Sequence, residues 1–93
     1  MVSTAVLTAA VENVDVAAYM SELREANVAR FSQRLERGIA AGQLRADTDV
    51  TALARFIGAI IQGMAVQARD GADTAALRDI AITAMGPIER QRA

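Results

Sequence analysis

The stretch from Arg55 to Gly71, RFIGAIIQGMAVQARDG, constrains this chain more than any other. On a helical wheel of about 100° per residue, Val50, Leu53, Ile57, Ile60, Ile61, Met64 and Ala68 gather on one side. Ala52, Phe56, Ala59, Gly63 and Val66 form a second apolar stripe on roughly the opposite flank. Arg55, Gln62 and Arg69, spaced by seven, make a narrow polar seam, with Gly58 near it and without a role of its own. A helix with two apolar faces must be covered twice. Other helices of the same chain can meet one face. The other is built mostly of small residues, which let a second backbone come close. This points to an intermolecular, two-fold contact, the commonest kind between identical chains. The competing reading buries both faces inside the chain's own bundle.

Punctuation places three further helices around this one. The first is expected over about 3–13, with Val2, Val6, Leu7, Ala10 and Val14 at helical spacing. The second is expected over 16–41 behind Asp15 as N-cap, with Val16, Met20, Leu23, Val28, Phe31, Leu35 and Ile39 forming one stripe. Gly42 closes it, and Leu44 supplies the hydrophobic stop contact. The central helix is expected over 50–70 behind Asp49, ending at Gly71. A last helix over 74–85 starts behind Asp73 and places Leu77, Ala81 and Ala84 on one small apolar face. Gly86-Pro87 should end or kink it, leaving 88–93 as a polar tail. Short connections between such helices predict a single all-α domain, an antiparallel bundle of about four helices. Paired with a second copy, it would form an intermolecular four-helix interface.

Chemistry has little to stand on. The 93 residues contain no Cys and no His, which removes thiol nucleophiles, disulfides, the commonest general base and the commonest metal ligand. Asp47 and Asp49, and likewise Asp70 and Asp73, flank helix starts and turns, where capping accounts for them. The glycines lie on or at the ends of helices, the wrong context for a phosphate loop. No enzyme, metal or cofactor is expected. Ten arginines and eleven acidic residues are interspersed, so the clustered basic face that nucleic acid requires is missing. No basic residue precedes the apolar opening MVSTAVLTAAVENV, as a secretory signal would need. The apolar run of the central helix, interrupted by Arg55, Gln62 and Gln67, is expected to fall short of the ~20 residues that span a bilayer. A cytoplasmic location follows as the expectation. A ligand pocket is the one site the residues suggest. Arg24 and Asn27 lie on or beside the apolar stripe of the long helix, near Met20 and Phe31. Either they reach to water past the core, or the four residues form a pocket wall for a small molecule.

The run GQLRADTDVTALARFIGAIIQGMAVQARDGADTAAL resembles the C-terminal half of TetR-type transcriptional repressors. The resemblance rests on the order of its elements: a Gly-x-Leu turn (Gly42, Leu44) and an Asp-capped helix with early Ala54-Arg55. A mid-helix Gly63-Met64, an ending of Ala68, Arg69 and Gly71, and a final Leu- and Ala-rich helix follow. It extends over nearly the whole chain. In that family the last two helices build the dimer interface and the long helix before them helps line an inducer pocket. The resemblance therefore implies a homodimer contacted through Phe56, Ala59, Gly63, Val66, Leu77, Ala81 and Ala84. It also implies a small-molecule effector near Met20, Arg24, Asn27 and Phe31.

The family's N-terminal helix-turn-helix has no counterpart in these residues, so DNA is expected to be bound only by a domain outside this chain. The chain is then expected to be a fragment, the product of an internal start, or a short protein in its own right. The function implied is the regulatory and dimerisation portion of an inducer-responsive repressor. The alternative is a stand-alone dimerisation or adaptor module that binds neither ligand nor DNA.

Overall fold

The computed structural model describes residues 2–93, and the side chains of residues 16–93. It contains three helices, α1 (Val2–Ala40), α2 (Val50–Arg69) and α3 (Thr74–Glu89). The expected break between a first and a second helix is absent, and α1 runs unbroken for 39 residues. The reason is local. No Gly or Pro lies between Val2 and Arg37, and alanines follow Asp15, so nothing halts propagation once the helix has formed. A capping residue permits a helix start but does not impose one. The apolar side chains that define the expected first helix, Val2 to Val14, lie outside the described side chains.

Helix ends elsewhere follow local chemistry. The Asp49 carboxylate accepts a hydrogen bond from the Ala52 N–H at 3.1 Å, and Asp73 accepts one from the Ala76 N–H at 2.8 Å. Each satisfies one of the orphan donors of a first turn. Asp73→Ala is expected to cost about 1 kcal/mol, read as a fall in the urea midpoint at fixed protein concentration. An unchanged midpoint would show that the cap contributes nothing to α3. At the far ends, Gly42 (φ 75°) and Gly71 (φ 99°) take the left-handed conformation. The Gln43 N–H then reaches Gly38 O at 2.9 Å and the Ala72 N–H reaches Gln67 O at 2.9 Å. Both are six-to-one closures that use up free carbonyls. Leu44 folds back over α1, its Cδ1 3.0 Å from where a Cβ on Gly38 would stand.

The end of the chain departs from expectation. Pro87 neither ends nor kinks off α3, which continues to Glu89. A proline in the last turn forfeits a single intrahelical bond, and Pro87 lines hollows with Phe56 that place its ring against α2. The expected polar tail is structured too. The Arg45 N–H donates to Gln91 O at 2.8 Å and the Ala93 N–H to Gln43 O at 3.1 Å, so Leu44 and Arg92 form an antiparallel bridge. Thr48 is buried beside this junction, its hydroxyl donating to Arg45 O at 2.6 Å.

α2 is the middle element. α1 packs along one side of it and α3 along the other, and among the described residues α1 and α3 do not pack on each other. The outcome is a single layer with extents of 63 × 30 × 15 Å. Its radius of gyration is 18.1 Å, against about 12 Å for a compact domain of this length. Among the described residues the buried apolar side chains are Leu53, Ala54 and Ala84, and no side chain is fully buried apart from that of Ala54.

Candidate association face and ligand cleft

The α1–α2 seam is built on Gly58. This glycine is buried, and a Cβ placed on it would lie 3.4 Å from Val28 Cγ2 of α1. The position that has no role on the wheel is therefore one where α1 and α2 come within van der Waals reach. Arg55 and Gln62, the polar seam, face α1 here: Arg55 Nη1 lies 3.4 Å from Glu25 Oε1. Both partners are exposed, so the pair contributes only about 0–1 kcal/mol. Around them Ser21, Arg24 and Val28 of α1 and Ala59 of α2 complete an open cleft of about 270 Å³. Of the four residues expected to wall a pocket, Arg24 alone lines it. Met20 and Asn27 are exposed and Phe31 is half-buried farther along the same stripe.

On the other side of α2, the contact with α3 is apolar. Phe56, Ile57, Ile60 and Ile61 face Ala81, Ala84, Met85 and Ile88. Ala84 is buried and Phe56 half-buried where α2 meets α3 of the same chain, and Leu77 and Ala81 are half-buried on the same side of α3. Ala59, Gly63 and Val66 lie elsewhere on α2, exposed, with open space around Gly63. Of the seven residues expected at the interface, Phe56, Leu77, Ala81 and Ala84 lie half-buried or buried toward the α2–α3 contact, and Ala59, Gly63 and Val66 are open. The physical reason is the position of α3, which takes up part of the stripe that a partner would need.

Two broad faces of the layer remain. One carries small residues, Ala52, Ala59, Gly63 and Val66, flanked on α1 by Glu22, Ala29, Gln33 and Glu36, all exposed. The other carries large ones. Met85 lines hollows with Ile57 and Ile61 of α2 and with Arg34, Leu35 and Gly38 of α1, which sets these residues on one side of the layer. Helical spacing continues that side to Met20 and Phe31 on α1. Ile61 is 50% exposed, Ile82 62%, Met85 44% and Met20 46%. The stripe expected to be covered by the chain's own helices is thus the one left partly open. The accessible surface, 6867 Å², exceeds the ~5,200 Å² of a compact monomer of this mass by about 1,700 Å².

These features define an all-helical domain with an open polar cleft between α1 and α2. A family model described as "Tetracyclin repressor-like, C-terminal domain" matches residues 6–85, and the chain belongs to that family. Domains of this family are regulatory and non-enzymatic, and they generally dimerise and bind small-molecule effectors. No match is found among curated proteins or among solved structures. By length and composition α2 does reach what a membrane span needs, contrary to the expectation that it falls short, with a mean hydropathy of 1.4 over its best window. TetR-family regulators are nonetheless soluble, and α2 has helices packed on two of its sides, with 17% of that window buried.

Proposed function

We propose that this chain is the effector-responsive dimerisation portion of a TetR-like transcriptional repressor, acting in the cytoplasm as a homodimer. α2 and α3 supply the dimer contacts, and DNA is bound by a helix-turn-helix that these 93 residues do not contain. The observation that carries this reading is the apolar surface that α2 and α3 leave open at Ile61, Ile82 and Met85. Soluble monomers rarely expose contiguous apolar area of that kind. Effector binding falls to the α1–α2 cleft bordered by Arg24. A ligand held there contacts both helices and biases their spacing, the two-state displacement that an inducer response requires.

Sedimentation equilibrium at micromolar concentration tests the core of this proposal. The expected mass is twice the 9.8 kDa of the chain. A monomer at that concentration would remove the dimerisation role. A dimer whose stability no small molecule alters would favour a plain association module instead.

A further inference from the structure

We infer that the α1–α2 cleft takes a small monoanion, a compact carboxylic acid, clasped between Arg24 of α1 and Arg55 of α2. This rests on the effector role proposed for the cleft and adds to it the chemical class of the effector.

The cleft's own residues carry the argument. Its walls hold two guanidiniums, Arg24 and Arg55, against one carboxylate, Glu25, an excess of one positive charge. Glu25 is committed only loosely. Its contact with Arg55 is 3.4 Å long and both side chains are more than half exposed, whereas a strong charge-assisted bond runs about 2.7–2.9 Å. Among the described residues Arg24 has no acidic partner at all. A carboxylate can accept two parallel N–H bonds from a guanidinium, so one anion seated here meets a donor on each helix. The Ser21 hydroxyl and the Gln62 amide line the same cleft and can donate as well. Glu25 repels a second negative charge, which disfavours dianions. Size limits the rest of the molecule. The cleft encloses about 270 Å³, just below the roughly 300–1,000 Å³ of pockets for drug-sized ligands. Its apolar wall is Val28, Gly58 and Ala59 alone, too little for an extended lipophile and enough for a compact acid. An anion bridging the two arginines favours the helix spacing at which both reach it, which gives the effector its hold on the α1–α2 equilibrium.

NMR titration of the full chain tests this with probes of one shape and different charge: benzoate, neutral benzamide and cationic benzamidine. Benzoate should shift the amide signals of residues 21–28 and 55–62 saturably, and the other two should bind more weakly by about 10-fold or more, the low end for a charge-assisted hydrogen bond. Arg24→Gln and Arg55→Gln should each weaken benzoate by about 10-fold on the same ground. Glu25→Gln should instead tighten it by about 3-fold, because it releases Arg55 from an exposed pair and removes the repelling charge. That reversal of sign is one that a general loosening of the helices would not produce. Phthalate, with two carboxylates, should bind the unaltered chain more weakly than benzoate does.

Benzamide or benzamidine binding at these residues as tightly as benzoate would overturn the anion class while leaving the effector site in place. Phthalate binding more tightly than benzoate would overturn the single charge. Benzoate shifts of equal size around Arg34, Arg69 and Arg78 would show unspecific attraction of an anion to arginine and overturn the clasp, as would affinity indifferent to Arg24→Gln. Silence of residues 21–28 and 55–62 toward all of the probes at millimolar concentration would overturn the anion class together with the assignment of the effector to this cleft.

Discussion

Replacing Gly58 with leucine is expected to pry α1 from α2 and destabilise the protein by about 1–3 kcal/mol, the usual cost of overpacking a close contact. The same position should accept alanine and gain stability. A Cβ there stands 3.4 Å from Val28 Cγ2, an ordinary van der Waals distance, and alanine in place of glycine inside a helix contributes about 0.5–1 kcal/mol. The sign should therefore reverse between two neighbouring side-chain sizes. The next carbons of leucine must press on Val28 or turn into the α1–α2 cleft, and Val28 is part of the contact that holds α1. The Arg55–Glu25 pair cannot hold the helices together in compensation, because both side chains are more than half exposed, at 59% and 65%, and exposed pairs contribute little. Urea unfolding at one protein concentration reads both variants, and amide exchange over residues 21–32 locates the loosened helix. A leucine variant as stable as the parent would show that Gly58 is not the contact point.

Leu53→Ala should have the larger effect, a loss of about 2–5 kcal/mol, typical of truncating a buried leucine. Set against the roughly 5–15 kcal/mol that stabilises a whole domain, this approaches global unfolding. Leu53 is among the few buried apolar side chains, and it borders a hollow with Thr48, Phe56, Pro87 and Gln91. Four pieces of the chain meet there: the α1–α2 loop, α2, the last turn of α3 and the C-terminal strand-like pairing. Collapse around the gap would have to move all four, so relaxation should recover little of the lost contact. The urea midpoint should fall with the slope unchanged, the mark of lost stability without a change in the unfolding surface. Val66→Ala, at an exposed position of the same helix, should stay within about 0.5 kcal/mol and provides the contrast. Equal effects at both positions would mean that the core does not lie where Leu53 is.

Much of the local architecture is legible from residues a few positions apart. Asp49 and Asp73 read as N-caps, and Gly42 and Gly71 as left-handed terminators, because each acts on groups within one turn of itself. The extent of α1 is less legible. Asp15 has the chemistry of a cap, but neighbours without helix-breaking character override it, and propensity alone decides such a contest weakly. Pro87 errs in the opposite direction. A proline is a breaker in a helix interior, yet in a last turn backed by Phe56 it is accommodated. The pairing of Gln91 and Ala93 with Arg45 and Gln43 leaves no trace in composition, since it joins backbone groups nearly fifty positions apart.

The candidate site divides along the same line. The wheel sorts α2 correctly into large apolar, small apolar and polar strips. It cannot say what covers each strip, because an angle on a helix carries no information about its neighbours. Gly58 lies near the polar strip and acquires its meaning only when Val28 arrives. Ala84 and Phe56 are small-faced and apolar enough for a partner, but α3 brings them to each other. Arg24 reaches the α1–α2 cleft because α1 continues past it in the right rotation, and Met20 and Asn27 are left facing outward.

The caps, the terminators and the all-helical content were thus decided by the sequence alone, through interactions that act within a turn of the chain. The tertiary structure alone decided that α1 and α3 flank α2 in one layer, that Gly58 is the point of contact, and that the large-residue face stays open. Those outcomes depend on which long-range surfaces meet, and many pairings of the same helices satisfy the same local rules.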